Sequence, residues 1–235
     1  MSKLLTLYEA MYCPPDTYDG PEVDQFYRPW GFTIYRTSYE PAEESDMQWK
    51  ALIAKIKEQA AAEIDLYARP DVNHIVPRLK ELFFIDEQSD PDLLSGKSIP
   101  ELRVLHLDKA RAESAAHSRE EYFNQPATWP GPDLFLLADA DVLEGVTKDP
   151  YFWIKCVYAL HDELEKSRPR NSRYRPPSPD GWFRMTTNSI VDLCCDLYDC
   201  DWRNLPPEVS IVGGVVLYNG ELTGADPANG TSSGK

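Results

Sequence analysis

The sequence predicts an α+β fold, a mixed central sheet of about four to five strands with helices packed on it. Three observations carry this reading. Runs dense in aromatic and β-branched residues recur at 32–37, 134–138, 151–158, 182–187 and 211–218, each of strand length. Helical periodicity is grouped between the first two runs and after the fourth, a segregation typical of α+β layers. The chain has 235 residues, 42% hydrophobic and 27% charged, which is enough for one sizeable core. A Rossmann-like three-layer arrangement is the runner-up, because βα units begin and end the core. The expected organisation is an irregular arm over 1–29, one domain over 30–218 and a disordered Gly/Ser/Asn/Asp tail over 219–235.

The arm contains Pro14, Pro15, Pro21 and Pro29 together with four tyrosines. Trp30 to Thr37 follows as a central strand. Ser45-Asp46-Met47-Gln48 reads as a capping box, and Trp49, Leu52, Ile53, Ile56, Ala60 and Ile64 then keep helical spacing, so one apolar stripe should face the sheet. From Val72 to Phe84 the apolar spacing is again helical, with Pro77 starting or kinking the helix. A second capping box at Ser98-Ile99-Pro100-Glu101 opens a helix to about Ala116, which Ser118 to Asn124 either continues or leaves. Pro126 to Pro132 breaks the pattern. Leu134 to Ala138 is a compact buried strand, and a short helix begins at Val142. The aromatic strand Tyr151 to Tyr158 precedes a polar segment, Glu163 to Asp180, with five basic residues and four prolines. Trp182 to Thr186 is the next strand. Thr187-Asn188-Ser189 offers an N-cap to a helix carrying Ile190, Val191, Leu193, Cys194, Leu197 and Tyr198. Val209 to Tyr218 closes the core, with Gly213-Gly214 as a bulge or turn.

Alternation along three of these strands places a cation among core-type neighbours. Arg36 shares a face with Phe32 and Ile34; Lys155 with Tyr151, Trp153 and Val157; and Arg184 with Trp182 and Thr186. Buried charge requires a partner, so each cation meets a carboxylate, an anionic ligand or solvent. With 39 acidic residues and a net charge of −15, simple ion pairing is one reading. An anion-binding face is the other. Asp139 and Asp141 close a strand as a helix begins, a position for caps or for a carboxylate that grips a guanidinium. The free N–H groups of the helix after Ser189 are a further candidate anion site.

Several function classes are excluded or disfavoured. An acidic chain lacks the basic face needed for broad nucleic-acid coating, and only Lys166, Arg168, Arg170, Arg173 and Arg175 concentrate positive charge. Those five read either as a solvated loop or as a flap attracting a phosphate-bearing ligand. No apolar run of about 18 residues exists, and Met1 to Leu7 is too short and mixed for a secretory h-region. A cytoplasmic protein with no membrane partner is expected. The five cysteines lack CxxC spacing and lie far from histidine ligands, so neither a disulfide framework nor a metal site is expected. No GxGxxG, Walker A, HExxH or GxSxG occurs, and no cofactor is expected. His161 and Asp162 are adjacent and point apart on a helix, which makes them surface residues. His74, His106 and His117 have no local partner. Tyr35, Thr186, Thr187 and Ser189 are hydroxyls near the cationic positions.

The Trp30-Gly31-Phe32-Thr33-Ile34-Tyr35-Arg36-Thr37 block, the Ser45-Asp46-x-x-Trp49 helix start, the Leu134 to Asp139 strand and Gly181-Trp182-Phe183-Arg184-Met185-Thr186-Thr187 together resemble a large fungal family of hypothetical proteins over residues 30 to 200. In size and type the chain resembles the fungal arginine-containing cyclodipeptide synthases. That resemblance implies condensation of arginine, delivered as arginyl-tRNA, with a second amino acid from another aminoacyl-tRNA. Weighed against it, Arg36, Tyr35 and Asp139 are the candidate catalytic residues. Trp153, Lys155, Trp182, Arg184, Thr186 and Asp141 are candidates for holding tRNA phosphate, terminal adenosine and the arginine side chain. A non-catalytic module that recognises an acidic partner or nucleotide through the same face is the alternative.

Overall fold

Trp30–Arg36 (β1) is buried along its whole length, as expected of a strand at the centre of a sheet covered on both faces. In the computed structural model, which describes residues 2–14, 18–116, 133–147, 152–162, 180–199, 209–212 and 215–218, β1 lies between Phe83–Gln88 (β2) and Leu134–Ala138 (β3), parallel to both. The sheet continues through Trp153–Tyr158 (β4) and Trp182–Thr186 (β5), antiparallel to its neighbours. Val215–Tyr218 (β7) pairs parallel with β5 and antiparallel with Val209–Val212 (β6). The order is β2-β1-β3-β4-β5-β7-β6. The α+β class with a mixed sheet stands, and among the described residues the sheet has seven strands where four or five were expected. One addition is β2, which the helical reading of 72–84 had concealed. The other comes from the division of the last run into two strands.

Helices cover both faces. Lys3–Met11 (α1), Ala42–Tyr67 (α2), Val76–Leu82 (α3), Ala140–Val146 (α6) and Ile190–Asp199 (α7) contribute to one core with Phe32, Ile34, Leu136, Ile154 and Met185. Ile99–Ala116 (α5), with Leu94 from the short Pro91–Leu94 helix (α4), covers Tyr35, Phe135, Leu137 and Val157 on the other face. The layering is thus that of the three-layer alternative, while the strand directions remain mixed.

The stripe expected on α2 is buried at all six positions, and burying such side chains contributes about 1.5–3 kcal/mol each. The helix begins three residues before its expected start. Pro41 is its N-cap, and Ser45 sits inside the helix with its hydroxyl donating to the Ser38 carbonyl at 2.8 Å. The expected capping box at Ser45 is therefore absent. At Ser98 the Glu101 half of the box is present, with the Ser98 N–H donating to Glu101 Oε2 at 2.9 Å and the Ser98 hydroxyl donating to the same oxygen at 2.7 Å. The N-terminal arm is not irregular throughout. Leu4, Leu7 and Met11 are buried at helical spacing on α1, because the prolines begin only at Pro14 and leave this turn-forming stretch intact.

Gly31 shows why β1 needs a glycine. Its φ is +137°, and a Cβ there would stand 1.9 Å from the Phe84 carbonyl oxygen on β2, so a side chain would push the two strands apart. Trp30 is fully buried and its indole N–H donates to the Leu79 carbonyl at 2.8 Å. The expectations for Ser118 to Asn124, Pro126 to Pro132, 163–179, Gly213-Gly214 and 219–235 lie outside the described residues.

Candidate functional site

The strand directions bring the candidate residues to one end of the sheet. Since β1, β3 and β5 run together and β4 opposes them, Arg36, Asp139 and Thr186 at their carboxyl ends lie at the same end of the sheet as Trp153 at the amino end of β4. The three cations do not form a single face, however. Arg36 follows Phe32 and Ile34 toward α2, where its guanidinium pairs with Asp46 at 2.7 Å and donates to Ser45 at 3.0 Å and to the Ser38 carbonyl at 3.0 Å. The Tyr39 ring lies 4.5 Å from its Cζ. Lys155 and Arg184 oppose each other on the α5 side of the sheet, in a cross-strand row that runs Tyr35, Leu137, Lys155, Arg184. The sheet thus separates Arg36 from the other two.

On that α5 side, β4 and β5 alternate cation and indole. Lys155 Nζ is 5.1 Å from the centroid of Trp182, and Arg184 Cζ is 4.1 Å from that of Trp153, both within cation–π reach. Lys155 is buried and ion-paired with Asp139, with Asp141 at 3.7 Å. Asp139 also caps α6 through the Val142 N–H at 3.3 Å. Capping and ion pairing therefore occupy Asp139, whereas the Asp141 carboxylate stands in solvent. Arg184 differs from both other cations. Among the described residues no carboxylate pairs with it, and its Nε is buried without a hydrogen-bond partner.

The remaining candidates are engaged elsewhere. The Tyr35 hydroxyl contacts His106 Nδ1 at 3.1 Å, and burial pushes the Tyr35 pKa up. Leu137 separates this pair from Lys155. The Thr186 and Ser189 hydroxyls bond each other at 2.7 Å, and Thr187 donates to Gln59. The expected anion site at the start of α7 is already filled. Glu63 of α2 reaches across and accepts from the Val191 N–H at 2.8 Å and the Asp192 N–H at 2.9 Å. Its pKa is pushed up to about 8, chiefly because it is buried and against the pull of those N–H groups.

Sequence reasoning missed three functional-looking partners. His106 and Arg103 are buried on α5. Arg103 donates to the carbonyls of Tyr158, Asp180 and Gly181 and pairs with Asp162 at 2.7 Å. His161, read as a surface residue, is also buried, with its ring against Gly181. The signal for the first two was present: Ile99, Leu102, Arg103 and His106 fall on one helical stripe, so a cation and an imidazole occupied core-facing positions.

Cys156, Cys194 and Cys195 are buried thiols, and burial pushes the Cys195 pKa up to about 12. Among the described residues no group of histidine, cysteine and carboxylate side chains could hold a metal, and no helix is long and apolar enough to cross a membrane. No protein-family model, no curated protein and no solved structure matches this chain.

Proposed function

We propose that the chain is an aminoacyl-tRNA-dependent synthase of arginine-containing cyclodipeptides, acting in the cytoplasm. The observation that supports this is Arg184. In a chain with 39 acidic residues, a half-buried guanidinium stacked on Trp153 has no carboxylate among the described residues. A cation so placed suits an anion brought by a ligand, and the alternating indoles suit a base that stacks. The phosphates and terminal adenosine of a charged tRNA carry both features. Asp141, exposed and only loosely paired with Lys155 at 3.7 Å, is the carboxylate placed to grip an arginine side chain. The Lys155 and Asp139 pair is the group that can hold and return a proton as the amine of one aminoacyl ester attacks the carbonyl of the other. Each of the two attacks forms an amide, releases a tRNA hydroxyl and transfers one proton. Arg36 and Tyr35 act here as supports, held by α2 and His106.

A second reading, a binding module for an acidic partner or nucleotide, is favoured by the state of the hydroxyls. Thr186, Thr187, Ser189 and Tyr35 all have protein partners, so no free nucleophile faces Lys155 among the described residues.

Mass spectrometry on reactions containing the protein, total tRNA, aminoacyl-tRNA synthetases, ATP and the amino acids, with and without ribonuclease, tests the proposal. The expected result is a ribonuclease-sensitive cyclic dipeptide containing arginine, lost in Arg184→Ala while the unfolding free energy from urea titration stays within about 1 kcal/mol of the parent. No product from folded protein and charged tRNA overturns the synthase. If Arg184 still governs binding of an adenosine-ended RNA, the binding module takes its place.

A further inference from the structure

A second site lies at the other end of β1, away from Arg36. The first helix has two working faces. Leu4, Leu7 and Met11 enter the core, while Leu5, Tyr8 and Glu9 form a separate stripe at i, i+3 and i+4, continued by Tyr12, the extended C-cap of the helix. A helix edge facing only water has no use for two tyrosines and a leucine in register. The chain after α1 folds back over this stripe and is pinned there. Tyr12 and Tyr27 form an antiparallel bridge, the Cys13 N–H donates to the Phe26 carbonyl at 3.0 Å, and the Arg28 N–H to the Met11 carbonyl at 3.0 Å. Between the layers is a cavity of about 440 Å³ whose lining includes Leu5, Tyr8, Tyr27, Ile75, the Glu9 and Glu22 carboxylates and the His74 imidazole, a volume in the usual range for small-ligand sites.

Apart from the His74 imidazole, the chemistry of the lining is one-sided. Tyr8 and Tyr27 lie with ring centroids 4.4 Å apart, and Tyr12 and Tyr27 5.0 Å apart. Both the Tyr8 hydroxyl, at 3.1 Å, and the Tyr27 hydroxyl donate to Glu22 Oε1. That fixes the carboxylate, and among the described residues Oε2 accepts from no donor. Glu9 adds a second carboxylate, and Leu5 and Ile75 add an apolar wall. Aromatic faces, an ordered carboxylate with one oxygen unused and an aliphatic wall together match a cation with N–H donors on an apolar stem.

We propose that this N-terminal cavity binds a small organic monocation of that kind, an alkylguanidinium or alkylammonium, with its charged head between the tyrosine rings and Glu22 and its stem against Leu5 and Ile75. The site is independent of the Lys155 and Arg184 face, and the proposal does not rest on the function assigned to that face.

Calorimetric titration of the full chain with butylguanidine, butylamine and neutral butylurea tests it. The two cations are expected to bind, and their relative affinity identifies the preferred head group. Butylurea, with the same shape as butylguanidine and no charge, should bind about tenfold more weakly or not at all. Tyr12→Ala and Glu22→Gln should each weaken the cations about tenfold. Glu22→Gln disturbs the tyrosine hydroxyls, so Glu9→Gln, which leaves those bonds intact, serves as the second charge variant and should weaken binding a few-fold. No cation binding at millimolar concentration by protein with native circular dichroism overturns the proposal. Butylurea binding as tightly as the cations, or affinity unchanged in all three variants, overturns it equally.

Discussion

Arg36 and Asp46 form an ion pair in which water reaches only one partner. The Arg36 side chain is 5% exposed and that of Asp46 is 59% exposed. An acid standing in solvent adds little Coulombic energy, about 0–1 kcal/mol. Arg36 also serves the Ser38 carbonyl and the Ser45 hydroxyl and covers the Tyr39 ring. Its removal leaves buried acceptors short of a donor, and that costs more than the lost charge pair. Arg36→Ala is therefore expected to lower stability by about 2–3 kcal/mol and Asp46→Ala by less than about 1 kcal/mol. Urea unfolding of the two variants measures both, and equal losses would show that the charge pair alone holds this corner. At this scale the three cations were legible as anomalies for a physical reason, since Arg36, Lys155 and Arg184 each interrupt a core-facing alternation. Their partners were not legible. Asp46 and Asp139 come from neighbouring elements whose placement depends on strand order, and local pattern carries no information on strand order.

Among the elements, α2 and α7 are joined by a buried carboxylate rather than by apolar contact alone. Glu63 lies on the same stripe as Ala60 and Ile64, yet it is acidic. A charge at such a position signals a long-range partner, as Arg103 and His106 do on α5. The amphipathic stripes of α2 and α7 and the Ser98 capping box were legible because they depend on spacing over a few residues. The strand β2 was hidden because Leu79, Leu82 and Phe83 prolong the helical period into Phe83–Gln88. Glu63 makes a testable contribution to pH dependence. Its folded pKa, about 8, is raised above the ordinary value of 4.5. The unfolded chain thus loses its proton first as pH rises. The stability tied to the protonated form is complete below about pH 4.5 and is lost progressively as pH passes through about 8. Between pH 5 and pH 9 the protein should lose roughly 2–4 kcal/mol through this group. In Glu63→Gln that part of the slope should vanish, although the variant is less stable at low pH because one amide acceptor replaces two oxygens. Urea midpoints of both proteins across this range measure the effect, and parallel slopes would show that Glu63 is ionised throughout.

For the whole molecule, the net charge of −15 sets how any polyanion can bind. Long-range repulsion opposes its approach, and short-range contact depends on the few cations that face it. Each phosphate neutralised on a single strand contributes about −0.7 to the slope of log affinity against log salt. If Arg184 is the only described cation that touches phosphate, Lys155 being buried and paired with Asp139, the slope for a short adenosine-ended RNA is about −0.7. If Lys166, Arg168, Arg170, Arg173 and Arg175 also engage, it steepens toward about −4. Under the proposed function the shallow slope is the expected one, because the described face offers one cation without a carboxylate and the rest of the recognition is assigned to stacking on Trp153 and Trp182, which salt barely affects. Fluorescence anisotropy with labelled RNA at several salt concentrations measures the slope in the parent and in Arg184→Ala. A shallow parent slope that flattens further in the variant assigns binding to the β4 and β5 face. A steep slope that survives the substitution assigns it to the basic segment and removes Arg184 from the binding surface.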